Sequence, residues 1–231
     1  MRLIKRLIMA LFVVAIGAGL VFMWQGYRQY QQALAQLPLA EAVEDIRVQQ
    51  HFTPIDQIPD IYCKAVVAVE DRRFYNHNGF DVIGTARALI TDLKAKKLLQ
   101  GGSTLTQQLA KNIYFPMDNT PQRKIAEIFM AMEIEKNYSK SEILELYMNG
   151  IYYGSGYYTL YDASMGYFGK EPMEMTDEEC TLLAGIPNAP SVYSLDVNPD
   201  LAYQRQEQVV DAMVDCGYLL TAQAEEILGQ E

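Results

Sequence analysis

Residues 67–79 read VAVEDRRFYNHNG. An apolar run stops at Glu70 and Asp71. Two arginines follow, then an aromatic pair and His77, one of two histidines in the chain. Upstream, Ile61, Tyr62, Ala65, Val66 and Val69 recur at helical spacing, so Glu70 falls at a helix end. A carboxylate there is either solvated or delivered to the lip of a cleft, and the rest of the chain has to decide. Its local signals are helical. Asp81 is placed to cap a helix carrying Ile83, Ala86, Leu89, Ile90 and Leu93, and the far end, Lys94, Lys96 and Lys97, suits the negative helix terminus. Gly101-Gly102 breaks the chain, and Ser103 is placed to cap a helix through Asn112. Ile125, Ile128, Phe129 and Met132 predict the buried stripe of the next helix. Ser139 with Glu142 and Thr176 with Glu179 are capping boxes. Gly185 and Pro187 end the helix after Thr176, and Asn198-Pro199 and Gly217 bound a later one. No stretch alternates convincingly with a period of two, although a short hairpin near 43–53 is compatible with the sequence. The expected fold class is mainly α.

The chain has 231 residues, half of them apolar, enough for one full core or two small lobes and incompatible with disorder. Its formal net charge is −10. Residues 64–124, however, hold ten Lys and Arg against five Asp and Glu, a balance of +5 that leaves −15 elsewhere. A basic segment in an acidic chain points to an anionic ligand. The acidic total and the lack of any nucleic-acid motif argue against nucleic acid.

Arg2, Lys5 and Arg6 precede residues 7–24, which carry no charge, with Trp24 and Tyr27 placed as interface anchors. The basic flank predicts a cytoplasmic N-terminus and a catalytic part on the outer, periplasmic side. A cleaved signal peptide has a shorter apolar region; here the weak site Ala15-Ile16-Gly17-Ala18 is followed by LVFMW, so a retained anchor is expected. This divides the chain into a cytoplasmic tail and transmembrane anchor (1–26), a Gln- and Ala-rich stalk or linker (27–54), and a folded domain (55–231) that begins between Pro54 and Pro59. Cys63, Cys180 and Cys216 form no CxxC and read as structural thiols, with one disulfide in an oxidising compartment as the alternative, rather than as a metal or redox site.

Three further stretches carry unusual polarity. QGGSTLTQQLAKN, residues 100–112, has little core value; its glycines allow close approach of a ligand, and a helix N-terminus favours anions. In RKIAEIFMAMEIE, residues 123–135, Arg123, Glu127, Ala131 and Glu135 share a face opposite the apolar stripe. Alone, that face reads as solvated, with an Arg–Glu pair worth a few tenths of a kcal/mol, roughly. SKSEILELYMNGIYYGSG, residues 139–156, is an amphipathic helix followed by a Gly- and Tyr-rich loop. His77 lacks partners at metal spacing and reads as structural. No nucleophile elbow or Ser-His-Asp pattern is present. What remains is two carboxylates, Glu70 and Glu127, with cations around them. Paired carboxylates serve at anomeric centres, and cations suit a phosphate leaving group.

EDRRFYNHNG, QGGSTLTQQLAKN, RKIAE and SKSEILELYMN, in this order and spacing, resemble the peptidoglycan glycosyltransferases, the family of monofunctional transglycosylases and of the N-terminal domains of bifunctional penicillin-binding proteins. Arg205, Val209-Val210 and Met213 are similar to a fifth motif of that family. The likeness runs from about residue 55 to 215, and the form it leads one to expect is the monofunctional one. The resemblance implies a lysozyme-like, two-lobed fold. It implies polymerisation of lipid II onto a lipid-linked glycan chain with inversion, giving β-1,4 glycan and undecaprenyl pyrophosphate. Glu70 matches the general base and Glu127 the second glutamate, on the pyrophosphate side, where a divalent cation (Mg or Mn) is expected. Lys111, Arg123 and Lys124 match residues compensating phosphate charge; Ser103, Gln107 and Asn112 match the polar groove wall. The expected partners are the membrane and cell-wall synthesis and division proteins. A lytic muramidase on a related fold and a degenerate membrane scaffold are the alternative readings. Three positions depart from the family pattern: Asn119 stands in place of an arginine, Tyr158 in place of a small residue, and Gln204 precedes Arg205 in place of a second arginine.

Overall fold

The computed structural model describes residues 2–95, 101–116, 118 and 120–229. These form twelve α-helices and four short 3-10 turns, with no strand among the described residues. The fold is mainly α, as its periodicities predict, and consistent with the lysozyme-like transglycosylase domain. Lys96, Lys97 and Asn119 lie outside the described residues.

Two groups of helices share one core. α3 (Asp60–Glu70), α9 (Asp177–Gly185) and α11 (Pro199–Asp215) form the first; α5 (Leu105–Tyr114), α6 (Arg123–Asn137) and α7 (Lys140–Asn149) form the second. α3 is the central element. Tyr62, Ala65, Val66, Val67 and Ala68 are all buried, so it is enclosed on nearly every side and its last residue, Glu70, cannot drift.

The first helix, α1 (Arg2–Gln36), is the one described helix long and apolar enough to cross a membrane, over Ile4–Gln36. Its first part exposes Leu7, Phe12, Leu20 and Trp24, as a lipid-facing helix does. The chain is membrane-anchored. The helix then continues without a break onto the domain. The rings of Tyr27 and Tyr30 lie 5.2 and 6.0 Å from that of Phe129 on α6. Gly26 sits so close to Ile125 that a Cβ would lie 2.6 Å from its side chain. Next, α2 (Leu39–Arg47) buries Leu39, Val43 and Ile46 in the main core. Thr53 and Asn149 exchange two hydrogen bonds of 2.8 Å. Segment 27–54, expected as a stalk, is thus packed into the body, and the hairpin considered near 43–53 is helix and turn. Its few apolar residues have partners about a hundred positions away, which composition does not reveal.

α6 differs instructively from expectation. Ala126, Met130, Ala131 and Ile134 are buried in the core, while Met132 is half exposed and Ile125 and Phe129 face α1. The apolar stripe docks the anchor, and the face read as solvated points inward, burying Glu127 to 1 % exposure. A helix enclosed on two sides defeats a one-stripe reading.

Candidate active site

A cleft of about 720 Å³ opens between the two helix groups. Glu70, Glu127, Ser103, Gln107, Lys111, Asn112, Arg123 and Lys124 all line it, so the eight residues assigned to the site from the sequence are brought to one cavity.

Local chemistry explains why α3 ends there. Asp71 leaves the helical conformation (φ −154°, ψ 75°). Its carboxylate accepts the Leu105 N–H at 3.1 Å and faces His77 Nε2 at 2.8 Å. It thereby satisfies an orphan donor at the start of α5, where negative charge is also favoured by the helix dipole. His77 is structural, as its sequence context predicts. The cap of α5 is Thr104 rather than Ser103: the Thr104 hydroxyl accepts the Gln107 N–H, and the Gln107 side chain returns a bond to the Thr104 N–H. The spacing holds that signal, since Thr104-x-x-Gln107 is a capping box and Ser103-x-x-Thr106 is not. The Thr104 hydroxyl also donates to the Gly79 carbonyl at 2.7 Å, tying the turn that follows α3 to α5.

Gly79 has φ +86°, and a Cβ there would lie 2.7 Å from the Ala131 carbonyl carbon. Both the left-handed backbone and the contact require glycine. Gly79→Ala is expected to destabilise the domain by about 1–3 kcal/mol, read as a lower Tm.

Glu70 is buried, its side chain 6 % exposed. Gln108 Nε2 donates to Glu70 Oε2 at 2.7 Å, and Arg205 approaches Oε1 at 3.7 Å. Burial pushes the Glu70 carboxyl above the ordinary glutamate range; the Gln108 hydrogen bond and the Arg205 charge pull against it, and Asp71 adds to the rise. Arg205 is given room by Gly185, where a Cβ would meet its side chain at 2.8 Å.

At the other glutamate, Lys124 Nζ donates to Glu127 Oε2 at 2.9 Å and to Ser103 Oγ at 2.6 Å. Arg123 Nε lies 3.0 Å from Glu127 Oε1 as an ion pair, although its N–H is not aimed at that oxygen. Lys111 is exposed on the same cleft wall. One lip of the cleft carries Tyr152, whose ring packs 4.8 Å from that of Tyr158. Gln108 was not among the candidate residues, and Arg205 was read only as part of the fifth motif, with no place in the site. The first is one of two adjacent glutamines with nothing to separate them in sequence. The second comes from a helix more than 130 residues away from Glu70 in the chain.

A buried carboxylate and several cationic side chains thus line one cleft of a helical fold. The chain belongs to the transglycosylase family, whose profile matches residues 37–214. It is 42% identical over 214 residues to a Cupriavidus necator protein named as a transglycosylase, covering 93% of this chain and 89% of that one. Penicillin-binding protein 1A of Aquifex aeolicus is 42% identical over 186 residues, and penicillin-binding protein 2D of Bacillus subtilis 44% identical over 180. The aligned parts cover 80% and 78% of this chain but only 26% of each of those two proteins. The chain is a peptidoglycan glycosyltransferase. The family match begins at residue 37, ahead of the expected 55, in keeping with the packing of α2.

Proposed function

We propose that this protein polymerises lipid II into β-1,4-linked glycan at the outer face of the cytoplasmic membrane, releasing undecaprenyl pyrophosphate. The observation that carries the reading is a buried, destabilised carboxylate, Glu70, in the same cleft as Lys111, Arg123 and Lys124. Glu70 removes the proton from the GlcNAc 4-hydroxyl of the acceptor. That oxygen forms its bond to C1 of the lipid-linked chain from the face opposite the pyrophosphate. The C1–O bond breaks, its electrons leave with the pyrophosphate, and configuration inverts. A base raised by burial holds a proton more readily as the bond forms. The three cations stabilise charge growing on the leaving group. Ser103, Gln107 and Asn112 contribute polar groups to the groove, although the Gln107 amide oxygen is already committed to the α5 cap. Arg2, Lys5 and Arg6 ahead of the anchor support a cytoplasmic N-terminus. Cell-wall synthesis and division proteins are the natural partner class for such an enzyme.

The residues at Glu127 do not fit a resident Mg or Mn ion. Glu127 is a lone carboxylate whose two oxygens already face Arg123 and Lys124, and no cluster of three metal-ligating side chains occurs among the described residues.

The full chain in detergent, given lipid II, is expected to make a muramidase-digestible polymer. Consumption of isolated cell-wall glycan with no polymer formed would point instead to a lytic muramidase.

A further inference from the structure

Gln108 bridges two buried groups. Its Nε2 donates to Glu70 Oε2 at 2.7 Å, while its Oε1 accepts from the Tyr147 hydroxyl at 3.2 Å. Tyr147 stands on α7 with no exposed surface, so it acts on a substrate only through its neighbours. A glutamine amide has two orientations of nearly equal shape. The flipped one would turn Oε1 toward the Glu70 carboxylate and leave the Tyr147 O–H without this acceptor in a buried setting. Both costs oppose the flip.

We propose that Tyr147 is a positioning residue for Glu70, locking the Gln108 amide so that its N–H always faces the carboxylate. The inference rests on Glu70 being the general base. Burial pushes the Tyr147 phenol well above the ordinary tyrosine range, so it remains an O–H donor throughout the working pH range. The groups that face Glu70 are Gln108 on α5, Arg205 on α11, Tyr147 on α7 and the adjoining Asp71. Gln108 and Arg205 favour its charged form and Asp71 does not, while the Glu70 charge helps to keep the Tyr147 phenol protonated. Without the Tyr147 hydroxyl, only the carboxylate opposes the flip. Once Glu70 is protonated, the flipped amide becomes favourable, because Oε1 can accept the new O–H. Loss of the hydroxyl therefore stabilises protonated Glu70 and raises the pH at which the base is available.

The test is the pH dependence of kcat/KM for lipid II polymerisation by the full chain, measured for wild type, Tyr147→Phe and Gln108→Met. Tyr147→Phe is expected to move the acidic midpoint up by about one pH unit, with the rate recovering at alkaline pH. Gln108→Met, which removes the donor itself, should move it in the same direction, and the double variant should move it no further. A purely structural role for Tyr147 would lower the rate evenly across pH with the midpoint unmoved, and that result overturns the proposal. So does an unmoved midpoint in Gln108→Met, whether or not Tyr147→Phe folds, because the positioning effect of Tyr147 on Glu70 runs through the Gln108 amide. A wild-type profile with no acidic limb would instead remove the general-base reading itself.

Discussion

Glu70→Gln is expected to lower polymerisation by about 100- to 10,000-fold, the usual cost of removing a general base. The substitution keeps the shape and can still accept the Gln108 N–H that now reaches Oε2 at 2.7 Å. It also removes a charge that burial disfavours. The fold should therefore lose nothing, and Tm should stay level or rise slightly, which separates lost chemistry from lost structure. The wild-type enzyme should show the other side of the same physics. Its activity should fall on acidification at a pH above that expected for an ordinary glutamate, because burial raises the carboxyl and protonation removes the base. Near-normal polymerisation by a folded Glu70→Gln protein would remove the assignment.

The second large effect is expected at Glu127. Replacing it with glutamine should lower kcat about 100-fold while costing little stability. Its carboxylate lies between Arg123 Nε at 3.0 Å and Lys124 Nζ at 2.9 Å, and Lys124 also reaches Ser103. Without the negative charge, two cations of one helix turn repel each other and swing toward water. Breaking a fully buried ion pair typically costs several kcal/mol. Here the Arg123 and Lys124 side chains are 24% and 46% exposed, so they have water to turn to. The loss should thus appear in turnover, where the cations must be aimed at a leaving group, rather than in Tm. A variant that unfolds, or one that polymerises normally, would show that the pair does not preorganise the cleft.

How far these residues could be read from sequence depended on the kind of signal. The ends of α7, α9 and α11 follow from capping boxes, proline and glycine, which are local chemistry, and they stand where those signals put them. Glu70 and Glu127 were legible as carboxylates out of keeping with their surroundings, and the cleft holds both. Burial on α6 was not legible, because the helix has two partners and its small residues, Ala126 and Ala131, carry no moment that marks an inward face. The packing of 27–54 was equally hidden: Tyr30 and Val43 find their neighbours across the chain, on α6 and in the main core. The Gln108–Glu70 bond was beyond reach for the same reason, since a hydrogen bond spanning 38 residues has no periodicity.

Polymerisation and hydrolysis differ in where the glycosyl unit goes. The most direct measurement follows purified, doubly labelled lipid II and counts pyrophosphate lipid released against disaccharide built into polymer. A polymerase is expected to release one undecaprenyl pyrophosphate for each new β-1,4 linkage, with almost no free reducing disaccharide. Release of the lipid with transfer of the sugar to water, or cleavage of finished glycan without lipid release, would contradict polymerisation.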